Sequence, residues 1–188
     1  MTDKRDKILK ATEKVLVNAG VQGLSMHKVA REANVATGTI YRYFQDKDDL
    51  LQQLHEKILT YVALHMMENI VPTDPQKMQF RQIWLNLWSL SQRQDAPTLT
   101  REQLESLPSH KNPELQQKKQ TLFQPLHAFL DEGKAQGIFK PLPTEILIVI
   151  GLEPSVHLAK RRQSNGLILD DALVEASILA CWDAIIQR

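Results

Sequence analysis

The apolar residues in the range 24–51 recur at the three- and four-residue spacing of short helices, with one tight turn between them. Ser25 stands where an N-cap is needed, and Asn34 tolerates the left-handed backbone of a tight turn between helices. Ile40 and Phe44 lie one turn apart in a second helix that follows the turn. The buried positions of the first helix are Met26, Val29, Ala30 and Ala33. The pattern predicts a helix-turn-helix.

The rest of the chain keeps the helical spacing and has no sustained alternation of apolar and polar residues that would indicate strands. Start and stop signals place about nine helices, so the sequence predicts an all-α fold. Gly20 ends the first of them. Asp46 caps a long fourth helix, which we expect to end at Pro72. Pro154 predicts a distortion within the eighth helix.

The second helix of the helix-turn-helix begins with small side chains and continues with polar aromatic ones. A helix that enters the major groove of DNA by its N-terminal end needs small groups where the backbones approach, and its first N–H groups attract phosphate. We expect Thr37, Thr39 and Arg42 to read bases. The predicted DNA-contacting set is Ser25, His27, Lys28, Thr37, Gly38, Thr39, Tyr41, Arg42, Tyr43 and Lys47. For Tyr41 and Tyr43 the alternative is packing in the core.

This pattern resembles the DNA-binding domain of the TetR family of bacterial transcriptional regulators. The matching residues are Ile8, Ala11, Leu16, Gly20, Ser25, Val29, Ala30, Ala33, Val35, Gly38, Ile40, Tyr41, Tyr43, Phe44, Lys47, Leu50 and Leu51. Asn34 stands where glycine is usual in the family, and Tyr43 where histidine is frequent. Ala36 replaces a capping serine or threonine, which costs about 1 kcal/mol unless Thr37 takes over. The resemblance implies a partner, double-stranded DNA, and dimerisation through the last two helices.

Length and composition fit a small DNA-binding head joined to a larger body. The chain has 188 residues, of which 43% are hydrophobic. The predicted division is a three-helix helix-turn-helix DNA-binding domain over residues 1–46 and a helical ligand-binding and dimerisation domain over residues 47–188. A net charge of +1 indicates that local geometry and dimeric binding supply the affinity for DNA. Without a membrane-length apolar run, and with the single cysteine Cys181, we expect a cytoplasmic protein with no membrane partner.

The last two predicted helices, at about 144–162 and 170–187, are apolar on nearly all faces. Such helices must be covered on more than one side, and we expect a second copy of the chain to cover them in a homodimer. The alternative is that they complete the core of a monomer. Two copies related by a twofold axis would read a palindromic operator with half-sites about 34 to 36 Å apart.

Aromatic residues in the body are candidates for a pocket that takes a small molecule. Trp84 and Trp88 share one helical face, and the ring of Pro125 bends the seventh helix. The predicted pocket residues are Trp84, Trp88, Phe123, His127 and Glu153. The alternative for the aromatic and histidine residues is a structural role in the core, and for Glu153 an ion pair or a place at the dimer interface.

The sequence shows no pairing of a nucleophile with a base, no spacing typical of metal ligands and no glycine-rich phosphate loop. We therefore predict no enzyme, no metal site and no cofactor. The predicted function is that of a transcriptional repressor that binds its operator as a homodimer and is released by a small, lipophilic inducer. The alternative is a ligand-independent helical adaptor that binds DNA without sequence preference.

Overall fold

The computed structural model describes residues 4–90, 92–165 and 168–187, and helices joined by turns make up most of them. The α-helices are α1 (Lys4–Gly23), α2 (Met26–Ala33), α3 (Thr37–Tyr41), α4 (Lys47–Met66), α5 (Gln76–Leu90), α6 (Arg101–Glu105), α7 (Pro113–Ala135), α8 (Thr144–Leu147), α9 (Glu153–Asn165) and α10 (Asp171–Ile185). A 3-10 turn covers Pro108–Lys111, and a π-turn over Ile148–Leu152 joins α8 to α9. With α8 and α9 counted as one, the described residues form nine α-helices. The predicted all-α fold is confirmed.

The chain divides into two compact units, each described here within the ranges given above. Unit 1 comprises residues 1–60 and 97–121, and unit 2 comprises residues 61–96 and 122–188. Helices α4 and α7 each contribute residues to both units. The predicted functional division after residue 46 stays a prediction, and its terminal residues 1–3 and 188 lie outside the described part of the chain.

The core of unit 1 is formed by the apolar faces of its long helices. On α1, Ile8 and Leu16 are at most 3% exposed, and the hydroxyl of the buried Thr12 donates a 2.8 Å hydrogen bond to the carbonyl of Ile8. From α4, Leu50, Leu51 and Leu54 are buried. These helices therefore present to the core the stripes that their spacing predicts.

Two helix ends in unit 1 follow from local chemistry. The backbone leaves helical geometry at Gly20 (φ 64°, ψ −179°), as predicted, although one more turn carries α1 to Gly23. At the start of α4 the Asp46 carboxylate accepts a 2.8 Å hydrogen bond from the N–H of Asp49. The Asp49 carboxylate accepts one of 2.8 Å from the N–H of Gln45. The predicted cap by Asp46 is therefore confirmed.

The other end of α4, in unit 2, differs from the prediction. The helix ends at Met66, so the expected end at Pro72 is wrong. The chain turns at Asn69, which takes a left-handed backbone conformation with φ 59°. Asparagine adopts that conformation more readily than other residues with a side chain, so the helix has already ended before the proline is reached.

The core of unit 2 is aromatic. The ring of Trp182 lies 5.4 Å from that of Phe80 and 5.6 Å from that of Phe139, and Phe139 in turn makes an edge contact with Phe129. Gly133 on α7 lies directly against the Phe139 ring, where a Cβ atom would clash with it. The four rings therefore fix the packing of α5, α7 and α10 around the Phe139 loop.

The distortion predicted at Pro154 is confirmed. The π-turn Ile148–Leu152 ends one residue before Glu153, so it lies in the turn that precedes the proline. Pro154 has no N–H to donate, and its ring would clash with the carbonyl four residues earlier, so the helix widens there. Gly151, inside the π-turn, allows close approach: a Cβ atom there would lie 3.1 Å from Ile185 and 3.3 Å from Phe80.

Candidate nucleic-acid interface

The helix-turn-helix in unit 1 is built from the local signals that the sequence carries. Ser25 caps α2, and its hydroxyl oxygen accepts a 3.2 Å hydrogen bond from the N–H of Lys28. Asn34 takes the predicted left-handed conformation (φ 51°, ψ 54°), and its N–H donates to the carbonyls of Ala30 and Arg31. Together these two residues fix the start of α2 and the turn that leads to α3.

One face of α2 and α3 is buried and the other is exposed. Met26, Val29, Ala30, Ala33, Ile40 and Phe44 are buried. Tyr41 is 55% exposed and Tyr43 39%, so both rings lie at the surface rather than in the core. His27, Lys28, Gly38 and Arg42 are also exposed, and Thr37 and Thr39 are half-buried. The exposed face therefore offers hydroxyl, phenol, guanidinium and ammonium groups, which are the groups that contact phosphates and base edges.

The first residues of α3 leave room for another molecule. A Cβ atom added to Gly38 would meet nothing within 4 Å, so packing within the chain does not require a glycine there. Ala36 precedes the helix without a side-chain cap. Thr37 does not take over that cap, because its hydroxyl makes no hydrogen bond with any residue in the described part of the chain. The start of α3 therefore presents small side chains and a threonine hydroxyl that makes no hydrogen bond within the described residues.

Backbone carbonyls at the end of α1 bind the two lysines of the predicted DNA-contacting set. Lys28 Nζ donates a 2.8 Å hydrogen bond to the carbonyl of Gly23, and Lys47 Nζ donates one of 3.2 Å to the carbonyl of Val21. Both carbonyls follow the break at Gly20. The backbone carbonyls therefore restrain both ammonium groups without neutralising their charge.

Two family profiles match most of the chain. Residues 75–186 match the profile of the family described as "Tetracyclin repressor-like, C-terminal domain". Residues 8–54 match that of "Bacterial regulatory proteins, tetR family". The chain belongs to the TetR family of transcriptional regulators. This family consists of DNA-binding regulators and not of enzymes.

Several similar proteins match the chain over nearly its full length. An HTH-type transcriptional regulator of Haemophilus influenzae is 31% identical over 186 residues, which are 98% of this chain and 96% of that protein. A solved structure of a TetR-family regulator from Vibrio parahaemolyticus is 36% identical, has a TM-score of 0.82, and is matched over 99% of this chain and 100% of its own. A TetR-family structure from Haemophilus influenzae is 31% identical with a TM-score of 0.84, over 99% of this chain and 98% of its own.

All five predicted pocket residues of this TetR-family regulator belong to unit 2. Trp84 and Trp88 are core residues, 0% and 7% exposed, with ring centroids 5.8 Å apart and nearly parallel planes. Phe123, His127 and Glu153 are half-buried. For the two tryptophans the structure therefore agrees with the core alternative, and the pocket itself stays a prediction.

A cavity of about 100 Å³ lies elsewhere in unit 2, between α5 and the turn before it, and is lined by Asn69, Ile70, Val71, Asp74, Met78, Gln79, Arg81 and Gln82. None of the predicted pocket residues lines it. Cys181 on α10 is buried, and burial raises the pKa of its thiol, so the residue packs as a small apolar group.

Sequence reasoning missed an anchor in unit 1 that ties residues 97–121 to the helices of the head. The Glu13 carboxylate accepts hydrogen bonds from the N–H and hydroxyl of Thr98 and from the N–H of Leu99. The residues are more than 80 positions apart, and nothing in the local pattern around Glu13 indicates its partner.

In the described residues no group of three or more potential metal ligands comes together, and no helix there is long and apolar enough to cross a membrane.

Proposed function

We propose that this TetR-family protein is a transcriptional repressor that binds a palindromic operator as a homodimer. The observation that carries the proposal is the exposed face of α2 and α3, where Gly38 leaves space and Tyr41, Arg42 and Tyr43 extend from the surface. In the described part of the chain, no hydrogen bond or ion pair accounts for two exposed tyrosines beside an exposed arginine. Contact with DNA does, because phenols bind phosphates and guanidinium groups bind guanine or phosphate.

Within this proposal, Thr37, Thr39 and Arg42 read bases. The phosphate contacts are assigned to Ser25, His27, Lys28, Tyr41, Tyr43 and Lys47. Gly38 permits close approach of the DNA backbone. This division predicts that changes in the first group alter sequence preference, whereas changes in the second weaken binding to all sequences alike.

The outward faces of the last helices support a homodimer. Ile146, Val149, Ile150, Val156, Leu173 and Leu179 are each between 39% and 50% exposed. Six large apolar side chains at the surface of two consecutive helical segments form the kind of face that a second copy covers. Two heads on a twofold axis then contact two half-sites, which one short α3 helix cannot do alone.

We also propose that a small lipophilic molecule binds unit 2 and releases the operator. The aromatic content around Trp84, Trp88 and Phe123 favours an apolar ligand, and Glu153 would favour a cationic one. A ligand that binds one conformational state better shifts the population to it, and a coupling of about 1 to 3 kcal/mol changes operator affinity by one to two decades. We place this regulator in the cytoplasm, where the chromosome of a bacterium lies.

The decisive experiment is selection of genomic fragments with the purified protein, followed by footprinting of the enriched DNA at two salt concentrations. A protected palindrome that persists at the higher salt concentration would support a dimeric, sequence-specific repressor, and the neighbouring genes would indicate the inducer. Enrichment without a common sequence, lost as salt rises, would support the alternative of an adaptor that binds phosphate only.

A further inference from the structure

Unit 1 contains a buried histidine whose partner comes from a distant part of the chain. His55 on α4 is 3% exposed, and its Nδ1 lies 3.1 Å from the hydroxyl oxygen of Ser109, itself 7% exposed. The neighbouring His110 ring is nearly parallel to that of His55, at an interplanar angle of 13° and 6.3 Å between centroids. Neither His55 nor Ser109 belongs to the DNA-contacting residues of the proposed function.

The contact between His55 and Ser109 is part of a row that joins α4 to the segment 107–118. One residue before the 3-10 turn, Leu107 is 3% exposed. One turn before His55, the Oε1 atom of Gln52 accepts a 2.8 Å hydrogen bond from the side-chain amide of Asn112. One residue after it, Glu56 forms an ion pair with Lys118 on α7. The pair His55 and Ser109 is therefore the buried centre of the contact between α4 and the segment 107–118. The hydrogen bond of Gln52 and the ion pair of Glu56 on either side of it are partly exposed.

The charged groups around His55 leave a proton on its ring without a counterion. His110 and Lys119 both repel such a proton. Carboxylates elsewhere in unit 1 have partners of their own: Glu56 pairs with Lys118, and on α6 Glu105 pairs with Arg101. On α1, Asp6 pairs with Lys57, and Glu13 accepts hydrogen bonds from Thr98 and Leu99. Within the described residues no carboxylate lies at ion-pair distance from His55.

This environment favours the neutral ring. Burial lowers the pKa of His55 from 6.5 to about 4, and coulombic repulsion from the side chains of His110 and Lys119 adds to the effect. The hydrogen bond with Ser109 does not oppose it, because a neutral imidazole Nδ1 bonds a hydroxyl as donor or as acceptor. A proton on His55 is accommodated far better when the segment moves away and water reaches the ring.

We propose that His55 and Ser109 form a proton-sensitive latch, which holds the segment 107–118 against α4 while His55 is neutral and releases it when His55 is protonated. In the open latch His55 is exposed to water and has the pKa of an ordinary histidine, so it binds a proton more readily than in the closed latch. Between pH 7 and pH 5 the ratio of open to closed latch therefore rises roughly twentyfold.

The latch gives the regulator a means to respond to acid, and this part of the inference rests on the proposed function. Helix α4 begins six residues after α3 ends, and it packs beside α1, where Gln53 accepts hydrogen bonds from Arg5. Release of the segment removes the support from one side of α4, which in turn contacts α1 through the hydrogen bonds between Gln53 and Arg5. We therefore expect opening of the latch to lower operator affinity.

The test of the latch uses the full chain without DNA. Hydrogen exchange of the amides in residues 107–118 is measured at pH 7 and pH 5 and corrected for the intrinsic rates of the same peptides. We expect protection of these amides to fall by an order of magnitude or more in the wild type. In His55→Asn, which retains a hydrogen-bonding group near the Nδ1 position but has no ionisable ring, protection should change less than twofold. An equal fall in both proteins, or none in the wild type, would overturn the proposal.

Two further variants keep the result interpretable if His55→Asn is unstable. Ser109→Ala removes the hydroxyl and should lower protection of the segment already at pH 7, without affecting the amides of α2. His110→Asn removes the half-buried neighbour and should retain most of the wild-type fall, since His110 only adds to the effect of burial. If the loss of protection between pH 7 and pH 5 disappears in His110→Asn, the proton that opens the segment binds His110 and not His55. That result would overturn the proposal.

The regulatory consequence is read with a DNA fragment enriched in the genomic selection. We expect operator affinity to fall more between pH 7 and pH 5 for the wild type than for His55→Asn. Equal pH dependence, with specific binding present in both, would overturn the regulatory role of the latch. Absence of any specific fragment would contradict the proposed function, while the exchange measurement would still decide whether the latch exists.

Discussion

Lys47 Nζ donates a 3.2 Å hydrogen bond to the backbone carbonyl of Val21, which also accepts a hydrogen bond from the N–H of Leu24. Lys47 is the first residue of α4, where the helix dipole disfavours a cation. The break of α1 at Gly20 places a carbonyl within reach of the ammonium group and offsets part of that cost. This hydrogen bond orients the lysine side chain for the phosphate contact that we propose.

Lys47→Met should weaken binding to operator and to unrelated DNA by a similar factor. It should also reduce the slope of log K against log salt by about one, because one phosphate contact with its released counterion is lost. The measurement is a salt titration of DNA affinity by fluorescence anisotropy. Lys77→Met removes the same charge from an exposed position on α5 in unit 2 and should leave the slope unchanged. Equal slopes for the wild type and Lys47→Met would remove Lys47 from the interface.

Arg42→Ala should relax specificity at particular operator positions. Arg42 is exposed beside Tyr41 and Tyr43, and a bidentate contact between arginine and guanine contributes about 1 to 3 kcal/mol of discrimination. Selection from a randomised operator library should recover a motif with one or more positions degenerate in each half-site. Arg31→Ala, an equal loss of charge on α2, should retain the wild-type motif. An unchanged motif in Arg42→Ala would reassign Arg42 to phosphate.

The parts of the fold that the sequence predicted are those set by neighbours along the chain. Ser25, Asn34 and Asp46 act through hydrogen bonds within four residues, so their residue types indicate where helices start or turn. The anchor between Glu13 and Thr98 and the hydrogen bond between His55 and Ser109 join residues more than 50 positions apart. The sequence around one residue of such a pair does not indicate which distant residue it contacts.

Residue spacing also could not decide whether the aromatic residues of the predicted pocket line a cavity or fill the core. Trp84 and Trp88 lie four residues apart, and that spacing is the same whether an aromatic pair lines a cavity or fills a core. The exposed tyrosines are different, because Tyr41 and Tyr43 fall outside the apolar stripe of Ile40 and Phe44. Their position relative to that stripe favoured exposure over the alternative of packing in the core.

Gly133→Ala should destabilise the protein, although alanine is the better helix former by about 1 kcal/mol. The added methyl group would overlap the ring of Phe139, which is fully buried and packed against Phe129 and Trp182. Overpacking of this kind costs about 1 to 3 kcal/mol, and a clash with a fully buried ring lies near the upper value, so the net loss after the gain in helix propensity is about 2 kcal/mol. Chemical denaturation gives the change in unfolding free energy. Ala128→Gly, an exposed position on the same helix, serves as control and should lose only about 1 kcal/mol.

Acid should destabilise the protein through His55. Its pKa is about 4 in the folded protein and near 6.5 when exposed, so between these values the unfolded state binds more protons. Stability is therefore fully present above about pH 6.5, falls as the pH decreases and reaches its lower limit below about pH 4. The shift corresponds to about 3 kcal/mol.

Urea denaturation at pH 7, 6, 5 and 4 measures this dependence. The loss of unfolding free energy from pH 7 to pH 4 should be smaller in His55→Asn than in the wild type by about 3 kcal/mol. His27→Asn, at an exposed histidine of α2, should follow the wild-type curve. Parallel curves for the wild type and His55→Asn would mean that His55 titrates normally in the folded protein.

Leu179→Glu should convert the proposed homodimer to a monomer. Leu179 is 45% exposed on α10, and a carboxylate there would be buried without a partner once a second copy covers the face. Leu64→Glu, at a leucine that is 66% exposed on α4, is the matched control and should leave the assembly intact. In sedimentation velocity at micromolar concentration, we expect the wild type and Leu64→Glu near twice the chain mass of 21.5 kDa and Leu179→Glu near that mass itself. If all three sediment alike as dimers, α10 does not form the interface. If all three sediment as monomers, the exposed apolar face has another role.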